Sequence, residues 1–206
     1  IKISGESIKT ISIKKLREEK MSYIPQDRMH LGIAKEGTID ENLSPYIRRT
    51  EKYSKLGILS QKTLSKTAGE VIEEFDVRCE GSNQLVKMLS GGNIQKVVVG
   101  RELSNLCRKD KPGLVVAEQP TRGIDVIAAN LVHKKLVEMR DKGSAILMIT
   151  ADLNELLELA DSAIIMYQGK IAAYFPDIKN VSEDQLGQYM LGVKQQSREE
   201  IKKVVF

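Results

Sequence analysis

An α/β fold with parallel core strands and an inserted helical segment is what this sequence predicts, and three observations carry that prediction. Gly113–Gln119 (GLVVAEQ) and Ala145–Thr150 (AILMIT) are short apolar runs of the length and composition of buried parallel strands. Between them, Ala128, Val132, Leu136 and Met139 recur at helical spacing, and Gly143 ends that helix. The succession strand, helix, strand is that of an α/β core.

The other elements have signals of their own. Asp40 to about Glu74 is rich in charge and lacks strand patterning, so a helical segment is expected there. Leu89–Arg101 (LSGGNIQKVVVGR) opens a helix on a serine and two glycines, with Ile94, Val97 and Val98 as its core positions. The glycines let the backbone approach an anion closely and the serine adds a hydroxyl donor. The helix start aims free N–H groups and the positive dipole end at the bound charge. An ordinary glycine-started helix shares four of these residues, so the stretch gains its meaning only together with the residues on its C-terminal side. Pro120–Asp125 (PTRGID) forms a turn after the first apolar run. Asp152 with Glu155 makes a capping arrangement for a helix carrying Leu153, Leu156 and Leu157. Ala163–Tyr167 and Lys170–Tyr174 flank Gln168-Gly169, which predicts a hairpin. Ser182–Leu191 is expected as a short helix started by Ser182 and Gln185, and Ser197–Phe206 as a charged terminal helix.

Bulk properties narrow the function classes. A length of 206 residues fits one to one and a half domains. The net charge of +4 is spread through mixed charges, there is no tryptophan, and aromatic residues make up 4 %, a composition that argues against a nucleic-acid surface. The two cysteines, Cys79 and Cys107, and the two histidines have no metal-site spacing, so free thiols in a reducing compartment are expected. No apolar run has the length of a membrane span and no signal peptide opens the chain, so membrane association is expected to come from docking on a transmembrane partner. Asn180-Val181-Ser182 is a helix start rather than a glycosylation site.

Leu89–Arg101 resembles the signature motif of ATP-binding cassette (ABC) ATPases, and its surroundings resemble the rest of that cassette's second half. Gly113–Gln119 is similar to the Walker B strand, Gly123, Ile124 and Asp125 to the D-loop, Ile149–Asp152 to the switch, and Ala163–Tyr174 to the closing hairpin. Upstream, Met21–Arg28 (MSYIPQDR) resembles the strand and Q-loop, with Gln26 at the glutamine position, and Ile1–Ile8 resembles the strand pair that follows a phosphate loop. The resemblance covers most of Ile3–Tyr174. The set IPQDR, ENL (Glu41–Leu43), FDVR (Phe75–Arg78), LSGGNIQK and QPTRGIDV is similar to the second cassette of the fused ATPase subunits of bacterial importers for simple sugars and nucleosides. FDVR and HKKLVEMRD (His133–Asp141) lean towards the nucleoside branch.

The resemblance implies a partial P-loop NTPase cassette in which residues 1–35 hold the first strands and Q-loop, 36–100 the helical signature subdomain, 101–175 the RecA-like core and 176–206 a C-terminal helical extension. No run of the form GxxxxGK[ST] occurs among the fifteen glycines, so the Walker A region is absent and the chain is expected to be a fragment with weak ATP affinity of its own. By the family's head-to-tail pairing, Leu89, Ser90, Gly91, Gly92 and Asn93 would bind ATP held by the opposite cassette. Glu118 falls at the Walker B aspartate, where it could hold Mg2+ through a bound water. Gln119 falls at the catalytic glutamate and Ala151 at the switch histidine. A carboxamide orients water but cannot take its proton, and alanine removes a hydrogen bond to the terminal phosphate, so the chain's own ATP site is expected to hydrolyse poorly. The implied cofactors are ATP and Mg2+ in the intact protein. The implied partners are the first cassette of the same chain or a second ATPase subunit, transmembrane permease subunits and, indirectly, an extracytoplasmic solute-binding protein, with no nucleic acid. The implied location is peripheral, on the cytoplasmic face of the cell membrane. A soluble ABC ATPase acting on nucleic acid or ribosomes should carry basic insertions, which this sequence lacks; a non-catalytic regulatory module would differ in ATP turnover.

Overall fold

Two short antiparallel strands, β1 (Lys2–Ile3) and β2 (Glu6–Ser7), and the helix α1 (Ile13–Glu19) lead into β3 (Met21–Ile24). The computed structural model describes residues 2–3, 6–7, 9–19, 21–45, 54–55, 58–59, 61–107 and 113–205. The chain divides into two compact units, Ile1–Ile149 and Thr150–Phe206.

After β3, Asp27 caps a π-helical turn, Arg28–Gly32, by accepting from the N–H groups of Met29 and His30 at 3.1 and 3.0 Å. The His30 backbone N–H is the main reason that the Asp27 carboxyl is held below its ordinary range. The helix α2 (Ile39–Leu43) starts on a capping box: Thr38 accepts from Glu41 N–H while the Glu41 carboxylate accepts from Thr38 N–H. Two-residue strands, β4 (Ser54–Lys55) and β5 (Ile58–Leu59), pair antiparallel before α3 (Gln61–Glu74). This corrects the all-helical expectation for Asp40–Glu74: strands of two residues are too short to show a period of two. Residues 46–53, 56–57 and 60 of that segment lie outside the described residues.

A 3-10 turn, Val86–Met88, precedes α4 (Gly91–Cys107), whose Ile94, Val97 and Val98 are buried as the helical period requires. Helices α3 and α4 meet at Gly100. A Cβ there would stand 2.6 Å from Val71 Cγ1 and 3.2 Å from Phe75 Cδ2. Helix propensity favours alanine over glycine by about 1 kcal/mol, but the stiff, β-branched Val71 cannot yield that far without strain, and overpacking costs about 1–3 kcal/mol. Gly100→Ala is therefore expected to destabilise the protein by about 1 kcal/mol net. A rise in the urea midpoint would overturn that expectation.

The core sheet has β6 (Leu114–Glu118) at its centre, parallel to β3 on one side and to β7 (Ala145–Ile149) on the other, with α5 (Val126–Asp141) crossing between β6 and β7. Ala128, Val132, Leu136 and Met139 form the buried face of α5, and Gly143, at φ +90°, follows its end. Val115 and Ala117 are fully buried in β6. The run beginning at Ala145 is not the buried strand its composition suggests, since Leu147 and Ile149 are 53 % and 49 % exposed. β7 is covered on one face only: Ile146 packs against the core while Leu147 and Ile149 lie on the opposite face, and an apolar run alone does not distinguish a strand covered on both faces from one covered on a single face.

In the second unit, Asp152 caps α6 (Leu153–Leu159) by accepting from Asn154 and Glu155 N–H. The strands β8 (Ala163–Tyr167) and β9 (Lys170–Phe175) form the expected hairpin, with Gln168 and Gly169 at φ +45° and +74° as a two-residue turn of positive φ demands. Ser182 caps α7 (Glu183–Met190) through Gln185 N–H at 3.2 Å, and α8 (Arg198–Val205) closes the unit. Ile165, Ala173, Phe175, Ile178 and Leu186 form its own small core, with Tyr189 edge-on to Phe175 at 5.6 Å.

Candidate functional site

The start of α4 is built from both sides. Ser90 is exposed; its carbonyl accepts Ile94 N–H, and its hydroxyl oxygen accepts from Asn93 N–H at 3.4 Å and Asn93 Nδ2 at 3.0 Å. Asn93 Oδ1 in turn accepts Arg78 N–H at 2.9 Å, tying the helix start to the turn that ends α3. Lys96 holds the same turn from beneath, donating to the Asp76 carbonyl at 2.7 Å and to its carboxylate at 2.9 Å. That contact is the main cause keeping the Asp76 carboxyl below its ordinary range. Leu89 turns its side chain into the core.

A side chain at either glycine would press on the end of a neighbouring side chain. A Cβ on Gly91 would lie 3.0 Å from Arg28 Nη2, and one on Gly92 would lie 2.8 Å from Asp125 Oδ2. Arg28 sits at the end of the Q-loop-like stretch and donates to the carbonyls of Arg122 at 2.7 Å and Gly123 at 3.0 Å. Asp125 caps α5 by accepting Ala128 N–H at 2.9 Å, and that N–H is the main reason its carboxyl is held low. Ile124 packs against the core and Gly123 takes φ +65°. The structure thus brings the predicted signature glycines and the predicted D-loop residues together. Gln95, buried on α4, donates to the Pro120 carbonyl at 2.6 Å and fastens the same turn.

At the end of β6, the half-buried Glu118 accepts from the Tyr23 hydroxyl through Oε2 at 2.8 Å. Gln119 is half-buried at φ +45°, a left-handed conformation that a side-chain-bearing residue adopts at a cost of about 1 kcal/mol or more. Its N–H donates to Ile149 carbonyl at 2.7 Å, so the strained residue stays anchored to β7. Gln26 is exposed in the bend after the buried Pro25. Ala151, in the second unit, is exposed.

The sequence alone does not single out Tyr23, Arg28, Arg78 or Gln95. Parallel register offers a signal for the first: Tyr23 pairs with Val116, and Glu118 lies two residues on, along the same face. The other three contacts join residues 94, 15 and 25 apart and leave no local pattern. Among the described residues no three His, Cys, Asp or Glu side chains converge as a metal site. Glu118 alone would contribute one carboxylate, which suits Mg2+ only where phosphate oxygens and water supply the rest.

Comparison with known proteins gives this geometry a setting. No family model matches the chain. It is 36 % identical over 195 residues to the guanosine import ATP-binding protein NupO of Bacillus subtilis (strain 168), covering 95 % of this chain and 37 % of that protein. It is 33 % identical over 192 residues to the nucleoside import ATP-binding protein NupA of Lactococcus lactis subsp. cremoris (strain MG1363), covering 93 % and 37 %. The arabinose import ATP-binding protein AraG of Rhizobium etli is 36 % identical over 173 residues, covering 84 % and 33 %. The chain therefore spans about a third of the length of these relatives. Among solved structures, the dimeric post-hydrolysis state of the ATP-binding cassette MJ0796 bound to ADP and Pi superposes with a TM-score of 0.68 at 19 % identity, over 86 % of this chain and 72 % of that one.

Proposed function

We propose that this chain, which has the P-loop NTPase fold of an ATP-binding cassette, is the signature-bearing part of the second cassette in the ATPase subunit of a nucleoside or simple-sugar importer. In that setting Ser90, Gly91, Gly92 and Asn93 present the start of α4 to an ATP held by the partner cassette. The observation that carries the reading is the exposed Ser90 at the head of a 17-residue helix, its hydroxyl oxygen held by Asn93, with Arg28 and Asp125 beside the two glycines that follow. A pre-set donor at a helix N-terminus stabilises developing phosphate charge without reorganising.

The residues fit ATP at the signature through the exposed Ser90 hydroxyl and the half-buried Gly91, while Gly92 is buried beside Asp125 and Ala128. They fit Mg2+ only through the Glu118 carboxylate, which could hold it by way of a bound water, with nucleotide oxygens completing the shell. When bound, Mg-ATP supplies the phosphoanhydride whose cleavage drives transport. On its own side the chain offers Gln119, which orients water without accepting a proton, and Ala151, which offers no side-chain hydrogen bond; turnover is therefore assigned to the site that this signature completes. Among the described residues no helix is long and apolar enough to cross a membrane, which agrees with a peripheral subunit docked on permease subunits at the cytoplasmic face, served indirectly by a solute-binding protein.

The FDVR stretch and the relatives named for guanosine and nucleoside import favour a nucleoside as solute. Cells deleted for the full-length subunit should lose uptake of labelled guanosine or uridine, keep uptake of labelled ribose and arabinose, and regain the nucleoside on complementation. Loss of a sugar alone would move the solute to the sugar branch. Unchanged uptake of all four would remove the importer reading.

A further inference from the structure

We infer that Asn93 is a positioning residue that fixes the direction of the Ser90 hydroxyl, so that Ser90 meets its ligand only as a hydrogen-bond donor, to an anionic oxygen. The inference rests on the proposed role of the α4 start as a phosphate-binding surface. Its basis is the donor and acceptor inventory of three groups. The Arg78 backbone N–H can only donate, so the Asn93 atom 2.9 Å from it is the carbonyl oxygen. The amide group facing Ser90 is consequently NH2, which can only donate, at 3.0 Å. With Asn93 N–H also donating to it at 3.4 Å, both lone pairs of the Ser90 oxygen are engaged from within the chain. One valence remains, the hydroxyl proton, and Ser90 is exposed. The site thus discriminates by hydrogen-bond polarity. A phosphate oxygen is accepted, whereas a ligand group that needs an acceptor meets none at Ser90.

Aspartate at position 93 reverses the polarity with almost no change in shape. Its carboxylate still accepts Arg78 N–H, so the turn is kept, but the second oxygen now demands the Ser90 proton that the ligand would have received.

The test is steady-state ATP turnover by the full-length subunit with its permease in proteoliposomes, each variant compared with the unsubstituted protein at the same pH. Asn93→Asp should lower turnover by at least about tenfold. Ser90→Ala should lower it to a similar degree, and Asn93→Asp placed in the Ser90→Ala background should cost nothing further, because its effect runs through the serine. Asn93→Asp activity within about threefold of the unsubstituted protein, or a deficit that persists in the Ser90→Ala background as direct repulsion of the ligand, overturns the inference. A fully active Ser90→Ala enzyme overturns the underlying phosphate-site reading instead. The two failures are thereby distinguishable.

Discussion

Replacing Ser90 with arginine in the intact transporter is expected to lower ATP turnover by about 10²-fold or more, the scale on which enzymes lose a pre-set donor to a developing oxyanion. Arginine places bulk where the glycine-lined start of α4 is open, and its charge cannot occupy the position of a hydroxyl proton aimed by Asn93. The matching substitution on the other side should do little. Gln119→Glu restores a group able to accept a proton, yet it leaves Ala151 without a side-chain donor and Glu118 tied to Tyr23, so turnover should change by less than about a factor of three. Steady-state ATPase assays of both variants in reconstituted membranes test the assignment. Near-normal Ser90→Arg activity, or strong acceleration by Gln119→Glu, would show that turnover belongs to the other site.

The site was legible in the sequence wherever its chemistry is local. The serine and two glycines ahead of Ile94, Val97 and Val98 mark a helix start, proposed here to face a phosphate, and α4 begins at Gly91 with those three residues buried. The α5 stripe, the Gln168-Gly169 turn and the Ser182 cap are likewise set within a few residues of chain. What stayed hidden is long-range. Arg28 reaches the carbonyls of Arg122 and Gly123 across more than ninety residues, and only the folded chain shows that a substituent on Gly91 would meet that guanidinium. The exposure of Leu147 and Ile149 depends on what covers each face of β7, a property of the packed sheet rather than of AILMI. The β4–β5 pair is too short for any periodicity to announce it. The glycines of the signature therefore carry two constraints at once, openness to an anion and close packing on the D-loop turn, and sequence spacing reveals only the first.

Lys96 makes the largest expected contribution to holding this geometry in place. Its side chain is 6 % exposed, and it clamps the Asp76 carbonyl and carboxylate at the left-handed residue where α3 ends, φ +48°. Lys96→Glu would bury a carboxylate in place of the cation, facing Asp76 with no partner. The Asp76 side chain is 64 % exposed, so what is lost is chiefly the satisfaction of one buried charge, about 3 kcal/mol. The turn would yield before the helix does, because α4 is fixed by Val97, Val98 and Val99 in the core, whereas the turn buries only Val77 and leaves Asp76 and Arg78 exposed. Loss of that turn withdraws Arg78 N–H from Asn93, and with it the restraint on the Ser90 hydroxyl. Lys96→Met, which keeps the length of the side chain without a charge, should show a milder form of the same defect. Hydrogen exchange on the full-length subunit reads the effect directly. In Lys96→Glu the amides of Val77 and Arg78 should lose protection by about 10²-fold or more, the equivalent of about 3 kcal/mol at 1.4 kcal/mol per decade. A loss of less than about tenfold would mean that Lys96 does not hold the signature turn.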